Sequence, residues 1–207
     1  MATLGDMKAR IAADMVRDDL LDGGTTEALL LSHIQASVRH YEKRGWWFLN
    51  TTTTANTTAS QSYITRPTTM GKITRVSIPS LNVDLAPVTL EEIEGEDEPS
   101  AQVGQPCVYA EGEAGGILRL FPTPSAVYSV KITGIKKLAA LVSDSDTNVW
   151  TNEGFDLIVA HTKMAYYRSV LRDEKGTQMA LAEEDDARSV LIGENIGRMV
   201  NCVPAGW

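Results

Sequence analysis

Arg39-His40-Tyr41-Glu42-Lys43-Arg44-Gly45-Trp46-Trp47-Phe48-Leu49-Asn50 divides the sequence into two textures. Before it, Leu30, Ile34, Val38 and Tyr41 recur at three- and four-residue steps, the spacing of one buried helical stripe. After it the chain turns to Thr, Val, Ile, Gly and Pro. Alternating stretches such as Leu81-Asn82-Val83-Asp84-Leu85 and Tyr128-Ser129-Val130-Lys131-Ile132 have the period of half-buried strands. Lys43 and Arg44 suit the last turn of a helix, where cations meet the negative end of its dipole, and Gly45 is placed for a left-handed stop. Trp46 and Phe48 lie directly beyond that stop. We expect one of them to anchor the strand block on the helices, since a buried aromatic ring removes a large area from water.

Toward the N-terminus, Thr3 reads as an N-cap, Asp6 as a first-turn acid, and Leu4, Met7, Ile11 and Met15 as the apolar stripe of a short helix. The stretch Arg17 to Gly24 breaks the pattern, and Thr25 or Thr26 is placed to cap the second helix. Strands are predicted near 46–53, 60–65, 73–78, 81–85, 107–111, 116–121 and 128–135. Thr89-x-x-Glu92 forms a capping box at the start of the acidic run 91–98. Beyond Asn148 the helical period returns. Phe155, Ile158, Val159, Thr162, Ala165, Tyr166 and Leu171 mark a third helix, and a turn follows at 173–176. The fourth helix is expected from about Thr177, with Ala180, Ala187, Val190, Leu191 and Ile196 buried and Glu183, Glu184, Asp185 and Asp186 crowding another face.

The pattern is α+β. It predicts a four-helix bundle built from N- and C-terminal helix pairs (1–45 with 149–200), an inserted antiparallel β-rich domain of barrel or sandwich type (46–148), and an extended C-terminal tail (201–207). For the bundle to close, Gly45 and Asn148 must be neighbours.

Composition narrows the function. The 207 residues sum to a net charge of -8, which gives no general basic footprint for gripping nucleic acid. Apolar runs fall short of a bilayer span, and Met1 to Asp14 carries charges where a signal peptide needs an apolar core, so neither membrane nor export is expected. Cys107 and Cys202 lack any metal-type or CxxC spacing and read as reduced structural thiols. GxxxxGK[ST], GxGxxG, HExxH and GxSxG are all absent.

The remaining chemistry-bearing residues read as structure. His33 and His40 stand seven apart, wider than the three or four of helical metal ligands, and His161 has no evident partner. Asp144-Ser145-Asp146-Thr147-Asn148 opens like a calcium loop. It then places Val149 where the loop needs Gly and Phe155 where it needs Glu, and so reads as a turn leading into a helix cap. The acidic runs could pair carboxylates as glycosidases do, but crowded acids on an exposed face supply no apolar pocket to raise one pKa. No catalytic residue, cofactor or metal is expected.

The passage Arg39 to Asn50 resembles the helix-to-strand passage, of R-G-W-x-F-N or R-x-W-F-N style, in head-to-tail adaptor proteins of tailed phages, including the tail tubular protein A family of short-tailed phages. Phe155 to Ala160 with Tyr166-Tyr167-Arg168 is similar to that family's third helix, and Ala182 to Arg188 to its fourth. The resemblance implies a non-enzymatic virion protein made in the host cytoplasm. It would form a ring, usually dodecameric, between the portal protein and the downstream tail (nozzle) protein. Double-stranded DNA would pass through without sequence-specific binding.

In such a ring Glu183, Glu184, Asp185 and Asp186, or Glu94 and Glu96, would face the channel, where carboxylates repel phosphates and cations would hold them. Val203, Pro204 and Trp207 would dock the tail on the portal. Two other readings are a tail-associated cell-wall hydrolase, which needs a cleft with one buried carboxyl, and a carbohydrate- or protein-binding module, which would stay monomeric.

Overall fold

The computed structural model describes residues 1–95, 102–112 and 116–200, except for the side chains of Met199 and Val200. The chain separates into two compact units, Met1–Leu49 with Leu138–Trp207, and Asn50–Lys137. The first is helical and the second is strand-rich, so the fold class is α+β.

In the helical unit, α1 (Leu4–Met15) starts at Thr3, whose side chain accepts from the Asp6 amide while Asp6 reaches back to the Thr3 amide. Leu4, Met7, Ile11 and Met15 are all buried, as their spacing predicts. α2 (Thr25–Glu42) buries Leu30, Ile34, Val38 and Tyr41. Both of its expected ends are corrected. The N-cap is Gly24 with no side-chain bond, and Glu27 instead accepts from the Gly23 amide at 2.6 Å. At the other end the helix stops at Glu42, and Gly45 does not adopt a left-handed conformation.

A single-turn α4 (Val149–Asn152) is capped by Asn148, whose Oδ1 accepts from the amides of Trp150 and Thr151. Next come α5 (Phe155–Tyr166), a π turn at Tyr167–Leu171, and the long α6 (Glu174–Val200), which begins one turn earlier than Thr177. Helices α1, α2 and α6 all pack on α5. That explains why α5 is buried at Leu157, Ile158, Val159, Ala160, Thr162 and Tyr166, on more than one side.

α6 departs most from its predicted face. Ala180 and Leu191 are buried, but Val190 and Ile196 are 64% and 56% exposed, and the inward row runs through Glu184.

The second unit is a curled, half-barrel sheet of seven strands. These are β1 (Asn50–Asn56), β2 (Tyr63–Thr65), β3 (Met70–Ile78), β4 (Val83–Val88), β6 (Val108–Ala110), β7 (Ile117–Phe121) and β9 (Ser129–Lys136), in the order β1-β9-β3-β4-β6-β7-β2. A small parallel pair, β5 (Val103–Gly104) with β8 (Thr123–Pro124), has too few residues to show periodicity in sequence. The expected strand at 46 gives way to a 3-10 turn, Trp47–Leu49, and pairing starts at Asn50.

The sheet is not wholly antiparallel, because β4 and β6 run parallel. The long connection 89–107, with α3 (Leu90–Glu94) at its start, carries the chain back to the same end, as a parallel neighbour requires.

Packing in this core follows register. Val76 of β3 sits opposite both Ile132 and Leu85, and Ile64 is opposite Leu118. Two irregularities in β3, between Met70 and Lys72 and between Ile73 and Arg75, convert alternation into a three-residue step, so Met70, Ile73 and Val76 all point inward. Gly134 lies against this bulged stretch, where a β-carbon would collide with the Lys72 carbonyl.

Candidate functional site

Residues that sequence reasoning left scattered come together inside the helical unit. Trp46 is only 3% exposed, and its indole Nε1 donates to the Tyr41 carbonyl at 3.0 Å. Its ring stacks on half-buried Phe48 at 6.0 Å, and both meet Trp150 edge-on, at 6.1 and 5.0 Å. Gly154 makes room for this cluster, since a β-carbon there would strike the Trp150 ring. Asn195 of α6 clasps the same turn, accepting from the Trp47 amide at 3.2 Å and donating to the Gly45 carbonyl at 3.4 Å. Arg198 lies 4.7 Å over the Trp47 ring. Neither Trp150 nor Asn195 had a sequence signal beyond its residue type.

Below this cluster lies a buried polar group. The Tyr41 hydroxyl donates to Oε1 of Glu184, while Oε2 of Glu184 is enclosed with no partner among the described residues. Burial, and then the hydrogen bond to Glu184, push the Tyr41 phenol well above its ordinary pKa. His161 is no lone residue: its Nδ1 is 2.9 Å from Ser37 Oγ and its ring stacks on His40 at 4.9 Å. Burial lowers its pKa, the carboxylate of Glu184 opposes this, and His40, Arg168 and Arg44 lower it further. His33 packs edge-on to Tyr166 instead, so the two α2 histidines do different work.

The acidic run on α6 is therefore not one face. Glu184 is 7% exposed and turned into the unit, which corrects its expected place on a channel wall. At 3.6 residues per turn it falls in line with Ala180 and Leu191. Glu183 accepts from Lys163 Nζ at 2.5 Å, and Asp14 accepts from the same ammonium at 2.8 Å. Burial works against the Lys163 charge, but these two hydrogen bonds outweigh it and raise its pKa. A matching pair occupies Lys8, which donates to Asp144 at 2.6 Å and Glu27 at 2.7 Å. Asp185 and Asp186 are exposed, the former bonded to Arg188 at 2.6 Å.

In the strand unit Glu91 and Glu94 are exposed and form no ion pair among the described residues. Glu96 and the tail residues Val203, Pro204 and Trp207, with Cys202, lie outside the described residues.

Chemistry of other kinds finds little purchase. Among the described residues no group of three His, Cys, Asp or Glu side chains could hold a metal ion. Asp144 to Asn148 is a turn and helix cap: Asp146 Oδ2 accepts from the amides of Val142 and Ser143, both at 2.8 Å. The cavity beside α6, of about 290 Å³, is lined by Arg10, Asp14, Lys163 and Glu183, all engaged in the ion network, and does not include the sealed Glu184. No described helix is long and apolar enough to cross a membrane.

α6 exposes Met179, Leu181, Val190, Ile192 and Ile196, an unusual apolar load for one helix in water. No curated protein matches the chain. The family model described as SU10 adaptor protein matches residues 2–200, which spans both helical segments and the strand unit between them. A match over nearly the whole chain leads to one conclusion: the chain belongs to the SU10 adaptor protein family, phage head-to-tail adaptors with a structural role in the virion.

Proposed function

We propose that the chain is one subunit of a homo-oligomeric ring, a dodecamer, seated between the portal protein and the downstream tail (nozzle) protein, with double-stranded DNA passing through its centre. The observation that carries this reading is α6. Val190, Ile192 and Ile196 stay 64%, 41% and 56% exposed in the single chain, and a helix apolar on so many sides is stable when neighbours cover it.

In this reading α1, α2, α5 and α6 form a four-helix bundle (1–45 with 149–200), the strand block (46–148) is its insertion, and the tail 201–207 docks on the portal through Val203, Pro204 and Trp207. The channel lining falls to the acidic run at 91–98, through Glu91, Glu94 and Glu96. A ring of carboxylates repels the phosphates of a passing duplex, whereas a ring of cations would bind them through counterion release.

Native mass measurement of the protein alone and with isolated portal rings tests the assembly. A closed dodecamer on the portal supports it, and a protein that stays monomeric in both conditions refutes it. Glu91→Lys with Glu94→Lys tests the lining: DNA ejection should slow, and unchanged ejection kinetics would remove this run from the channel.

A further inference from the structure

The helical unit carries two exposed faces of opposite charge on two different helices. Around the exposed arc of α6, Asp185 lies in line with Ile192 and Ile196 on one flank, and Asp186 lies with Val190 and Glu194 on the other. On α2 the outward side, opposite the buried row Leu30, Ile34 and Tyr41, holds Arg39 beside Ala36 and Leu29, with Lys43 at the C-cap just beyond. Neither cation forms an ion pair among the described residues. Both helices pack on α5, so the two faces are separate surfaces of one unit.

We propose that these faces meet between adjacent copies of the chain, the acidic and apolar face of α6 in one subunit covering the basic face of α2 in the next. This rests on the ring reading above and names the contact that would close it. The argument is charge complementarity. A symmetric α6-on-α6 contact would press Asp185 and Asp186 against their own kind, and an α2-on-α2 contact would do the same with Arg39 and Lys43; like charges brought together disfavour both. Pairing unlike faces removes the repulsion and covers Ile192 and Ile196 against Leu29, Ala36 and the aliphatic stems of Arg39 and Lys43. A contact between two different patches is heterologous, the kind that generates rings when the rotation closes.

The test uses two variants of the full chain: Asp185→Lys with Asp186→Lys, and Arg39→Glu with Lys43→Glu. Glu183 and Glu184 are left alone because they are engaged inside the unit. All four substituted positions are exposed and Asp185 gives up only a surface pair with Arg188, so melting midpoints should stay close to the parent, which separates assembly from folding.

Each variant alone should lose at least tenfold in assembled fraction, read by native mass measurement free and on portal-bearing capsids. Mixed one to one, the two variants should assemble again, because every reversed α6 then meets a reversed α2. Variants that assemble as well as the parent, or a mixture that fails to recover, would overturn this contact while leaving the ring intact. An Arg39→Glu/Lys43→Glu variant that still closes rings but no longer attaches to capsids would assign the α2 face to the portal and also overturn it. A parent chain that is monomeric free and on capsids would refute the ring reading itself.

Discussion

Tyr41 and Glu184, 143 residues apart in sequence, share a buried hydrogen bond that ties α2 to α6 through hydroxyl and carboxylate. The second oxygen of Glu184 already lacks a partner, so removing the hydroxyl leaves the whole carboxyl group uncompensated. Tyr41→Phe should cost about 1 to 3 kcal/mol, the range for stranding a buried polar group. Glu184→Gln keeps an acceptor and should cost less, and Glu184→Lys should cost most. Urea midpoints check the order; a Tyr41→Phe midpoint equal to the parent would show that the bond contributes nothing.

Trp46 should prove the costliest aromatic at the helix-to-strand passage. Its ring is enclosed and its indole hydrogen-bonded, so Trp46→Ala should destabilise by about 3 to 5 kcal/mol. Phe48, half-buried against Trp150, should cost less on truncation. Thermal unfolding of the two variants checks both size and order, and equal losses would contradict the burial difference.

Acid should loosen the helical unit before its carboxylates titrate. His161 has a folded pKa below its unfolded value of roughly 6.5, so the unfolded chain binds the proton more readily. Its share of stability is intact above that value and is lost as pH falls through it toward the folded pKa. His33, also lowered by burial, acts in the same direction. From pH 7.5 to 5.5 the melting midpoint should fall, and His161→Asn should make the decline shallower. Parallel slopes for variant and parent would exclude His161 as the titrating group.

Val16 ends α1 with φ 53 and ψ 48, a left-handed conformation that a β-branched residue adopts only at a cost of about 1 to 2 kcal/mol. Its side chain is 88% exposed and makes little contact that would be lost on truncation. Val16→Gly should therefore raise stability despite the extra freedom glycine gives the unfolded chain, with a net gain of about 0.5 to 1 kcal/mol. A fall in the melting midpoint would mean that the valine side chain is needed where it stands.

Sequence periodicity gave the first three long helices and the inward strand residues because each repeats its signal several times. Leu4, Met7, Ile11 and Met15 are one example, and Val130 with Ile132, the latter opposite Val76, another. It failed where burial is not apolar or period is not regular. Glu184 was assigned to a solvated run because composition cannot tell a carboxyl that has a tyrosine across the core from one that does not. Val190 and Ile196 were assigned to a core on hydrophobicity alone, although α6 has more apolar surface than a single chain can cover. In β3 the bulges broke the two-residue alternation, so Met70 was missed as a core residue. The partnership of His161 with His40 and Ser37 depends on α2 and α5 lying side by side, a long-range fact with no local trace.

The pairing of β1 with β9, with Asn50 opposite Ile135, brings the first and last strands of the sheet together at one end. Polypeptide enters and leaves the strand unit through a single doorway, with its two sides about 5 Å apart, the spacing of paired strands. A unit attached in this way is a cassette. Evolution can lengthen it or shorten it without re-threading the helices. What lies between Leu49 and Leu138 is therefore the part of the chain that can vary at the lowest structural cost.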